Sequence, residues 1–157
     1  MVFRKAKRED LEKVFRLYRS VVGTPCCVWD DDYPGCIDIN EDHENGTLYV
    51  MEEDAAILGS ISIVVHNELD ELTFWKEKEA RELARVAVAP GQQGKGIAQR
   101  MVLEIASILK AQRVPSIHLL VAKANPPAQS VYRKCGFQFL GSCFMFGHDY
   151  IGCEKIL

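Results

Sequence analysis

The sequence predicts a single mixed α/β domain that spans residues 1–157. Three observations lead to this prediction. Amphipathic segments with helical spacing alternate with short apolar runs that are typical of strands. The segments follow the order β-α-α-β-β-β-α-β-α-β-β. No repeat, low-complexity stretch or linker interrupts them, and 157 residues are enough for one hydrophobic core.

The N-terminal half is expected to contain one strand, two helices and a hairpin. A short strand is predicted at 3–6. A helix is predicted at 9–22, where apolar residues recur every three or four positions. A second, short helix is predicted at 37–45. Two strand-like runs follow at 47–52 and 57–66, and the polar pair between them predicts a hairpin.

The C-terminal half begins with a charged segment at 67–80, which is expected to be a connecting loop or a short helix. A strand at 82–88 then leads into a glycine-rich turn and a helix that Pro115 ends. The remaining elements are a buried strand at 117–122, a helix between Asn125-Pro126 and Cys135-Gly136, and strands at 137–146 and 149–157.

The charge and the hydropathy pattern exclude two classes of function. A net charge of -3 and a pI of about 5.8 do not suggest a surface for nucleic acid, and the four basic residues among the first eight are followed at once by acidic ones. No apolar run reaches the roughly 18 residues that a membrane helix needs. Basic residues between Arg4 and Arg8 also interrupt any signal peptide. We therefore expect no nucleic-acid partner, no membrane association and a cytoplasmic location.

The six cysteines form no C-x-x-C pair and no group with zinc-finger spacing. In a reducing compartment we interpret them as free thiols, most of them buried. The adjacent Cys26 and Cys27 leave a redox or metal-binding role open. The sequence otherwise predicts no metal site.

The segment 24–36, TPCCVWDDDYPGC, is irregular because it contains two prolines, a glycine and three consecutive aspartates. It is either a surface loop whose aromatic residues pack on the core, or an acidic, aromatic-lined loop over a substrate pocket. The second interpretation would attract cationic amines. It makes Trp29, Asp31 and Tyr33 candidate substrate-binding residues.

The stretch 85–98, RVAVAPGQQGKGIA, reads as a strand, a tight turn and the first turn of a helix. The first amides of a helix have no partner inside it, so such a turn binds anions. Its glycines match neither a P-loop nor a dinucleotide fingerprint. Taken alone, the turn is either a phosphate site or simply a strand-to-helix connection that needs glycine.

Two linked motifs favour the phosphate site. The run ARVAVAPGQQGKGIAQRMV and the later run ANPPAQSVYRKCGF resemble the GNAT superfamily, the acyl-CoA-dependent N-acyltransferases. The resemblance is strong over 82–137 and extends to the earlier elements in their order only. It implies a central, mostly antiparallel sheet flanked by helices. In that fold the strand at 86–88 splays from the strand at 117–122, and together they form the sheet's parallel pair.

The resemblance also implies acetyl-CoA as the cofactor. Backbone amides of the turn would hold its pyrophosphate, namely those of Gln93, Gly94, Lys95, Gly96, Ile97 and Ala98. The strand Val86, Ala87 and Val88 would lie beside the pantetheine arm, and a free amide near Val88 would face the thioester carbonyl. Asn125 would bond the pantetheine amides, cap its helix, or do both. Members of the family often have Arg where Gln93 stands, and Lys95 would partly replace that charge.

Tyr132 matches the tyrosine that the family places near the sulfur, where a phenol can protonate the departing thiolate. Packing on its helix is the alternative. Glu82 matches the position of a catalytic glutamate in some members. Glu79, the aspartates at 30–32 and a water chain are alternative bases. Arg85 has either an active-site or a surface role. His118 is expected to be a core histidine whose hydrogen bonds are satisfied.

We therefore expect an N-acetyltransferase in which a primary amine attacks acetyl-CoA directly. The acidic loop favours a small cationic metabolite as the acceptor. A protein N-terminus or lysine is the first alternative, and a non-catalytic acyl-CoA sensor is the second. Many members of the family dimerise, so the resemblance allows a homodimer, but the sequence does not locate its interface.

Overall fold

The structure, a computed structural model, describes residues 1–157. Its elements in chain order are β1 (Val2–Lys5), α1 (Leu11–Val21), α2 (Cys36–Glu44), β2 (Leu48–Glu53), β3 (Ala56–Val64), β4 (Arg81–Val88), α3 (Ile97–Ala111), β5 (Ser116–Ala122), α4 (Pro126–Lys134), β6 (Gln138–Met145) and β7 (His148–Ile156). Short 3-10 turns lie at Arg8–Asp10, Glu68–Glu71 and Pro90–Gln92.

All seven strands form one sheet in the order β1-β2-β3-β4-β5-β7-β6. Every neighbouring pair is antiparallel except β4 and β5, which are parallel. The predicted order of elements and the predicted mixed sheet are therefore confirmed. The boundaries differ by only a few residues: α1 begins at Leu11, β3 ends at Val64, and α3 ends at Ala111, before Pro115.

The parallel pair separates soon after it forms. Only Arg81 with Ile117 and Glu82 with His118 are in register, although β4 continues to Val88 and β5 to Ala122. Beyond Glu82 the two strands share no ladder hydrogen bonds. A gap therefore opens in the middle of the sheet, as the resemblance implied.

A β-bulge in β4 lies just beyond the point of separation. Ser60 pairs with Ala87 and Ser62 with Ala84, so the intervening Ile61 faces two residues of β4. One of the two, Arg85, has a φ of 51°, in the left-handed region that side chains rarely adopt. A bulge of this kind bends its strand and redirects side chains, and here it does so beside the gap.

Helices cover both faces of the sheet. One core lies under α1 and α2 and contains Val14, Leu17, Tyr18, Ile39, Leu48, Val50 and Ala87. A larger core of 20 buried residues lies under α3 and α4. Gly59 lets α3 approach the sheet, because a Cβ there would lie 2.9 Å from Met101 Cε and 3.0 Å from the Ala87 carbonyl oxygen. The close approach suggested by this glycine is thus present.

All six cysteines are free thiols, as expected, but only Cys135 and Cys153 are buried. The expectation that most of them are buried is therefore wrong, because Cys26, Cys27, Cys36 and Cys143 lie outside the two cores, in loops, at the start of α2 and on the edge strand β6. No helix combines the length and the apolar character that crossing a membrane requires.

Candidate active site

The gap between β4 and β5 widens into a cleft of about 1500 Å³. The cleft is lined by both strands, by the first turns of α3 and α4, by the segment after α1 and by the β6–β7 hairpin. Nearly all the predicted site residues line it: Trp29, Tyr33, Glu82, Val86, Ala87, Val88, Gln93, Gly94, Gly96, Ile97, Ala98, Asn125 and Tyr132. Asp31 and Lys95 do not.

The turn before α3 exposes its backbone to the cleft. Gly94 and Gly96 have φ values of 78° and 79°, and a Cβ at either would meet no atom within 4 Å. Gly96 is the N-cap of α3, and no side chain caps the first amides of this helix. Those amides and the helix dipole therefore point at open space, which suits an anionic group.

The backbone of β4 offers further donors. The Ala89 amide donates to the Leu58 carbonyl of β3 at 2.9 Å. Amides point alternately to opposite sides along a strand, so those of Val88 and Val86 point away from β3 and into the gap. The N–H and C=O of an extended residue point to the same side, so the Val88 carbonyl also faces the gap, and Gln93 Nε2 donates to it at 3.3 Å.

Tyr132 lies on α4 at the other side of the gap. Its side chain is 8% exposed and packs edge-to-face on Phe137 with ring centroids 5.7 Å apart. No protein group bonds its hydroxyl. Burial raises the pKa of this phenol well above its usual value. Tyr132 therefore stays protonated at physiological pH and can donate its proton.

Asn125 caps α4, because its Oδ1 accepts from the Ala128 amide at 3.2 Å. The capping role considered for it is therefore present. Nearby, Gln129 Nε2 donates to the carbonyls of Ala122 and Lys123 at 3.0 Å and 3.1 Å. These bonds occupy carbonyl groups at the end of β5 and hold the start of α4 against that strand.

Glu82 lies where the two strands separate, and its side chain hydrogen bonds with Asn67. Burial is the main cause that raises the pKa of Glu82 to about 7. The hydrogen bond from Asn67 and the charge of Arg85 lower this pKa, whereas Glu68 and Asp70 raise it. A carboxyl that titrates near neutral pH is well suited to accept a proton from a reacting amine.

Arg85 ties the bulge to α2. Its guanidinium binds both carboxylate oxygens of Asp42, at 2.8 Å and 2.7 Å, and donates to the Tyr33 hydroxyl at 3.2 Å. Asp42 also accepts from Ser62 at 2.7 Å. The role of Arg85, open from the sequence, is thus to fix the bulge and to neutralise a buried aspartate beside the cleft.

The segment after α1 differs in part from expectation. Trp29 packs edge-to-face on Tyr18, with centroids 5.4 Å apart, and its other side lines the cleft. Asp30 Oδ1 accepts from the amides of both Asp32 and Tyr33 at 2.8 Å. This local turn places Asp31 at an exposed tip outside the cleft. Asp30 and Tyr33 line the cleft in its place.

Two other candidates lie away from the cleft. The Lys95 ammonium donates to Gln92 Oε1 at 3.1 Å rather than facing the turn's amides. Glu79, an alternative base, is exposed and does not line the cleft. His118 is buried and lies 2.9 Å from a carboxylate oxygen of Glu154. It is the core histidine with satisfied hydrogen bonds that the sequence predicted.

The half of the cleft that lies under α2 is strongly acidic. Arg85 is already paired with Asp42, and five other carboxylates line this half: Asp30, Asp38, Glu41, Glu68 and Glu82. The aromatic side chains of Trp29, Tyr33 and Tyr150 also line it. A cleft with one sign of charge attracts counter-ions, so this half favours a cationic ligand.

Comparison with known proteins identifies a family. The family model described as the acetyltransferase (GNAT) family matches residues 8–137. L-2,4-diaminobutyric acid acetyltransferase of Virgibacillus pantothenticus is 31% identical over 87 residues, 55% of this chain and 49% of that protein. Streptothricin acetyltransferase of Streptomyces lavendulae is 27% identical over 101 residues, 64% of this chain and 49% of that protein. The matches span about half the length of these relatives.

Solved structures share the whole fold at low identity. A ribosomal-protein-alanine N-acetyltransferase from Brucella melitensis superposes with a TM-score of 0.80 at 20% identity and covers 100% of both chains. The yncA protein of Salmonella typhimurium, solved with its cofactor acetyl-CoA, superposes with a TM-score of 0.77 at 18% identity. That match covers 99% of this chain and 93% of the other.

Proposed function

The chain belongs to the GNAT family of acetyltransferases, and from this premise we propose that it transfers the acetyl group of acetyl-CoA to the primary amine of a small cationic metabolite. One observation carries the proposal. A backbone anion site, strand amides without partners, a carboxyl that titrates near pH 7 and a protonated phenol all line one cleft.

The residues present fit acetyl-CoA. The open turn at Gly94 and Gly96 and the uncapped amides of α3 suit the pyrophosphate. The amides of Val86 and Val88 can bond an extended pantetheine arm as a neighbouring strand would. Gln93 would then release the Val88 carbonyl, which it now bonds. When bound, acetyl-CoA supplies the acetyl thioester that the amine attacks.

Backbone amides of β4 would stabilise negative charge on the acetyl oxygen. Val86 is four residues from Glu82 along the strand, and Val88 is six. An amine in contact with Glu82 is therefore nearer to the Val86 amide. We assign the donor to Val86, deeper in the gap than the Val88 amide that the sequence suggested, and assign Val88 to the pantetheine arm. The bulge at Arg85 holds this backbone in place before the reaction, as effective electrostatic stabilisation requires.

Glu82 and Tyr132 would carry the two proton transfers. The amine arrives as an ammonium ion and must lose a proton before it attacks. Glu82 can take that proton because its pKa of about 7 leaves a useful fraction ionised at neutral pH. On the other side of the gap, Tyr132 donates its phenolic proton to the departing sulfur. No covalent enzyme intermediate is needed for this route.

The acceptor is expected to carry a second positive charge besides the reacting amine. Five carboxylates and three aromatic side chains line the half of the cleft beside Glu82. The two curated relatives support this choice, since one is named for diaminobutyric acid and the other for streptothricin. Their names concern those proteins, and the matches cover about half of each, so the acidic lining is the main support here.

The experiment has two stages. Titration with acetyl-CoA should raise the melting temperature, because ligand at one hundred times its Kd adds about 2.7 kcal/mol. Thiol release is then measured with amines of matched length, such as 1,5-diaminopentane and pentylamine. We expect higher kcat/KM for the diamine, and a difference that shrinks at high salt.

Each other outcome has a definite meaning. No thermal shift at millimolar acetyl-CoA overturns the proposal. A shift without thiol release from any amine indicates an acyl-CoA-binding sensor. Thiol release with peptides but with no small amine indicates a protein acceptor. Equal kcat/KM for the diamine and the monoamine contradicts the proposed preference for a second positive charge.

A further inference from the structure

We infer that Asn67 is a positioning residue that orients the carboxylate of Glu82 for proton transfer, held in place by a buried anchor built around His118. The inference rests on the proposed function, because it concerns the base of that reaction. Asn67 lies outside both sequence motifs, in the segment between β3 and β4. Its amide group hydrogen bonds with Glu82 Oε2.

The orientation of the Asn67 side chain follows from its second hydrogen bond. The Leu69 amide donates to Asn67 Oδ1 at 2.9 Å. A backbone N–H needs an acceptor, so the oxygen of this side chain must face Leu69. The NH₂ group is therefore left to face Glu82. Facing Glu82, the NH₂ group can only donate a hydrogen bond. This bond favours the ionised form of the Glu82 carboxyl and fixes the orientation of the carboxylate.

A chain of contacts fixes the segment that carries Asn67. Trp75 Nε1 donates to the Leu69 carbonyl at 2.8 Å, and the Trp75 ring stacks on His118 with centroids 3.9 Å apart. His118 lies 2.9 Å from Glu154 Oε2. The same oxygen of Glu154 accepts from the amides of Lys76 and Glu77 at 3.1 Å and 3.0 Å. The segment is thus bound to β4 at one end and to β5 and β7 at the other.

This anchor lies directly beside the base. His118 is the residue of β5 that pairs with Glu82, and this is the last register pair before the strands separate. Neighbours in register project from the same face of a sheet. The segment at 67–77 therefore bridges the point where the gap opens, with Asn67 over one strand and Trp75 over the other. A structural connector has no need to present a lone donor to a buried carboxyl.

Several charged groups also act on Glu82, and a test must separate them from Asn67. Arg85 lies on the same strand and lowers the pKa of Glu82, whereas Glu68 and Asp70 of the 3-10 turn raise it. From the segment after α1, the Tyr33 hydroxyl faces it across Arg85. From β5, its neighbour is His118. None of these groups contacts the carboxylate directly, as Asn67 does.

The substitution Asn67→Asp separates the two roles of Asn67. An aspartate still accepts from the Leu69 amide, so the turn keeps its cap, but it offers Glu82 a negative charge in place of a donor. Asn40→Asp makes the same chemical change at an exposed position of α2 outside the cleft, and serves as the matched control. The pKa of Glu82 is measured in the ligand-free protein from the ¹³C shift of its carboxyl, with Glu82→Gln to assign the signal.

We expect the Glu82 pKa to rise by at least about one unit in Asn67→Asp and to stay constant in Asn40→Asp. The acidic limb of the kcat/KM profile should move with it, so that activity falls about tenfold at pH 6 and partly recovers at pH 9. An unchanged carboxyl titration in Asn67→Asp overturns the inference. The titration needs no substrate, so it is readable even if the proposed reaction is wrong. If Glu82→Gln keeps full activity, Glu82 is not the base of the reaction. The positioning role of Asn67 would then be overturned for that separate reason.

Discussion

At the scale of single residues, burial raises the pKa values of two side chains that line the cleft, Glu82 and Tyr132. The pKa of Glu82 rises to about 7, so a carboxyl that is normally a weak base gains basicity while still ionising near neutral pH. The pKa of Tyr132 also rises, so the phenol keeps its proton. The roles proposed for the two side chains differ because a carboxyl and a phenol have different ordinary pKa values.

Removing the Tyr132 hydroxyl should lower turnover without weakening cofactor binding. Tyr132→Phe keeps the ring packed on Phe137 and deletes only the proton donor. We expect kcat to fall by about 10² to 10⁴ and the thermal shift with acetyl-CoA to stay similar. The kcat is measured as thiol release with the amine that reacts fastest with the unsubstituted protein. An unchanged kcat would show that Tyr132 is a packing residue only.

The ionised carboxylate of Glu82 should destabilise the folded protein at neutral and alkaline pH. A carboxyl whose pKa rises from 4.5 to about 7 on folding binds a proton more readily in the native state. Its ionisation therefore destabilises the fold above pH 7, and the cost disappears as the pH falls toward 4.5. Glu82→Gln should stabilise the protein by roughly 2 to 3 kcal/mol at pH 8 and by almost nothing at pH 4.5.

Denaturant unfolding of both proteins at the two pH values tests this prediction. An equal effect at pH 8 and pH 4.5 would mean that packing, not ionisation, accounts for the difference. A destabilised variant at pH 8 would show that Glu82 is a structural residue.

At the scale of elements, the junction of β4 and α3 combines a strained bulge with an open turn. Arg85 has a left-handed φ of 51° and is held by a nearly buried pair with Asp42, whose side chains are 12% and 6% exposed. Strained backbone at a functional site persists when surrounding contacts hold it. Here these contacts come from α2, so that helix helps to position the amide that follows the bulge.

A methyl group at the open turn should weaken cofactor binding more than it weakens the fold. Gly94→Ala places a side chain at a φ of 78° and projects a Cβ into the space above the amides. Gly147→Ala in the β6–β7 hairpin is the matched control. Gly147 has a φ of 79°, and a Cβ there would also meet no atom within 4 Å. Each should lose roughly 1 kcal/mol of stability.

Only Gly94→Ala should raise the Kd for acetyl-CoA, by about tenfold or more. Isothermal titration calorimetry with both variants gives the comparison. Equal affinities in the two variants would contradict the assignment of this turn to the pyrophosphate.

At the scale of the whole molecule, the sheet consists of two parts joined at a narrow seam. The strands β1 to β4 form one part and β5 to β7 the other, and only two residue pairs connect them. On one face the seam is bridged by the segment that carries Asn67 and Trp75. A ligand in the gap would connect the two parts by giving hydrogen-bond partners to the amides of β4 that face the gap.

Hydrogen exchange should detect that connection. The amides of Val86 and Val88 face the gap and should exchange quickly in the ligand-free protein, whereas Ala89 bonds to β3 and should be protected. Saturating acetyl-CoA should slow Val86 and Val88 and leave Ala89 nearly unchanged. Exchange followed by NMR resolves these three amides. Protection of Val86 and Val88 without ligand would contradict the geometry described for β4.

Local patterns in the chain account for much of what was predicted. The strand and helix order, the glycine turn and the cap at Asn125 depend on residues close in sequence, and all are present. The position of Asp31 outside the cleft was not foreseen, because it depends on a local turn formed by Asp30 that directs Asp31 to solvent. The contact of Asn67 with Glu82 was not predicted at all, since Asn67 belongs to no motif and its partner lies fifteen positions later, on β4.

The sequence by itself determined the order of elements, the family and the open glycine turn before α3, because periodicity, glycine and motif spacing are encoded locally. Only the tertiary structure decided which residues surround the carboxyl of Glu82, because Asn67, Arg85 and Asp42 come together through the pairing of distant strands and the packing of α2. It also decided the pKa of Glu82. Burial, the largest cause of that shift, depends on everything packed around the carboxyl and not on its neighbours in the chain.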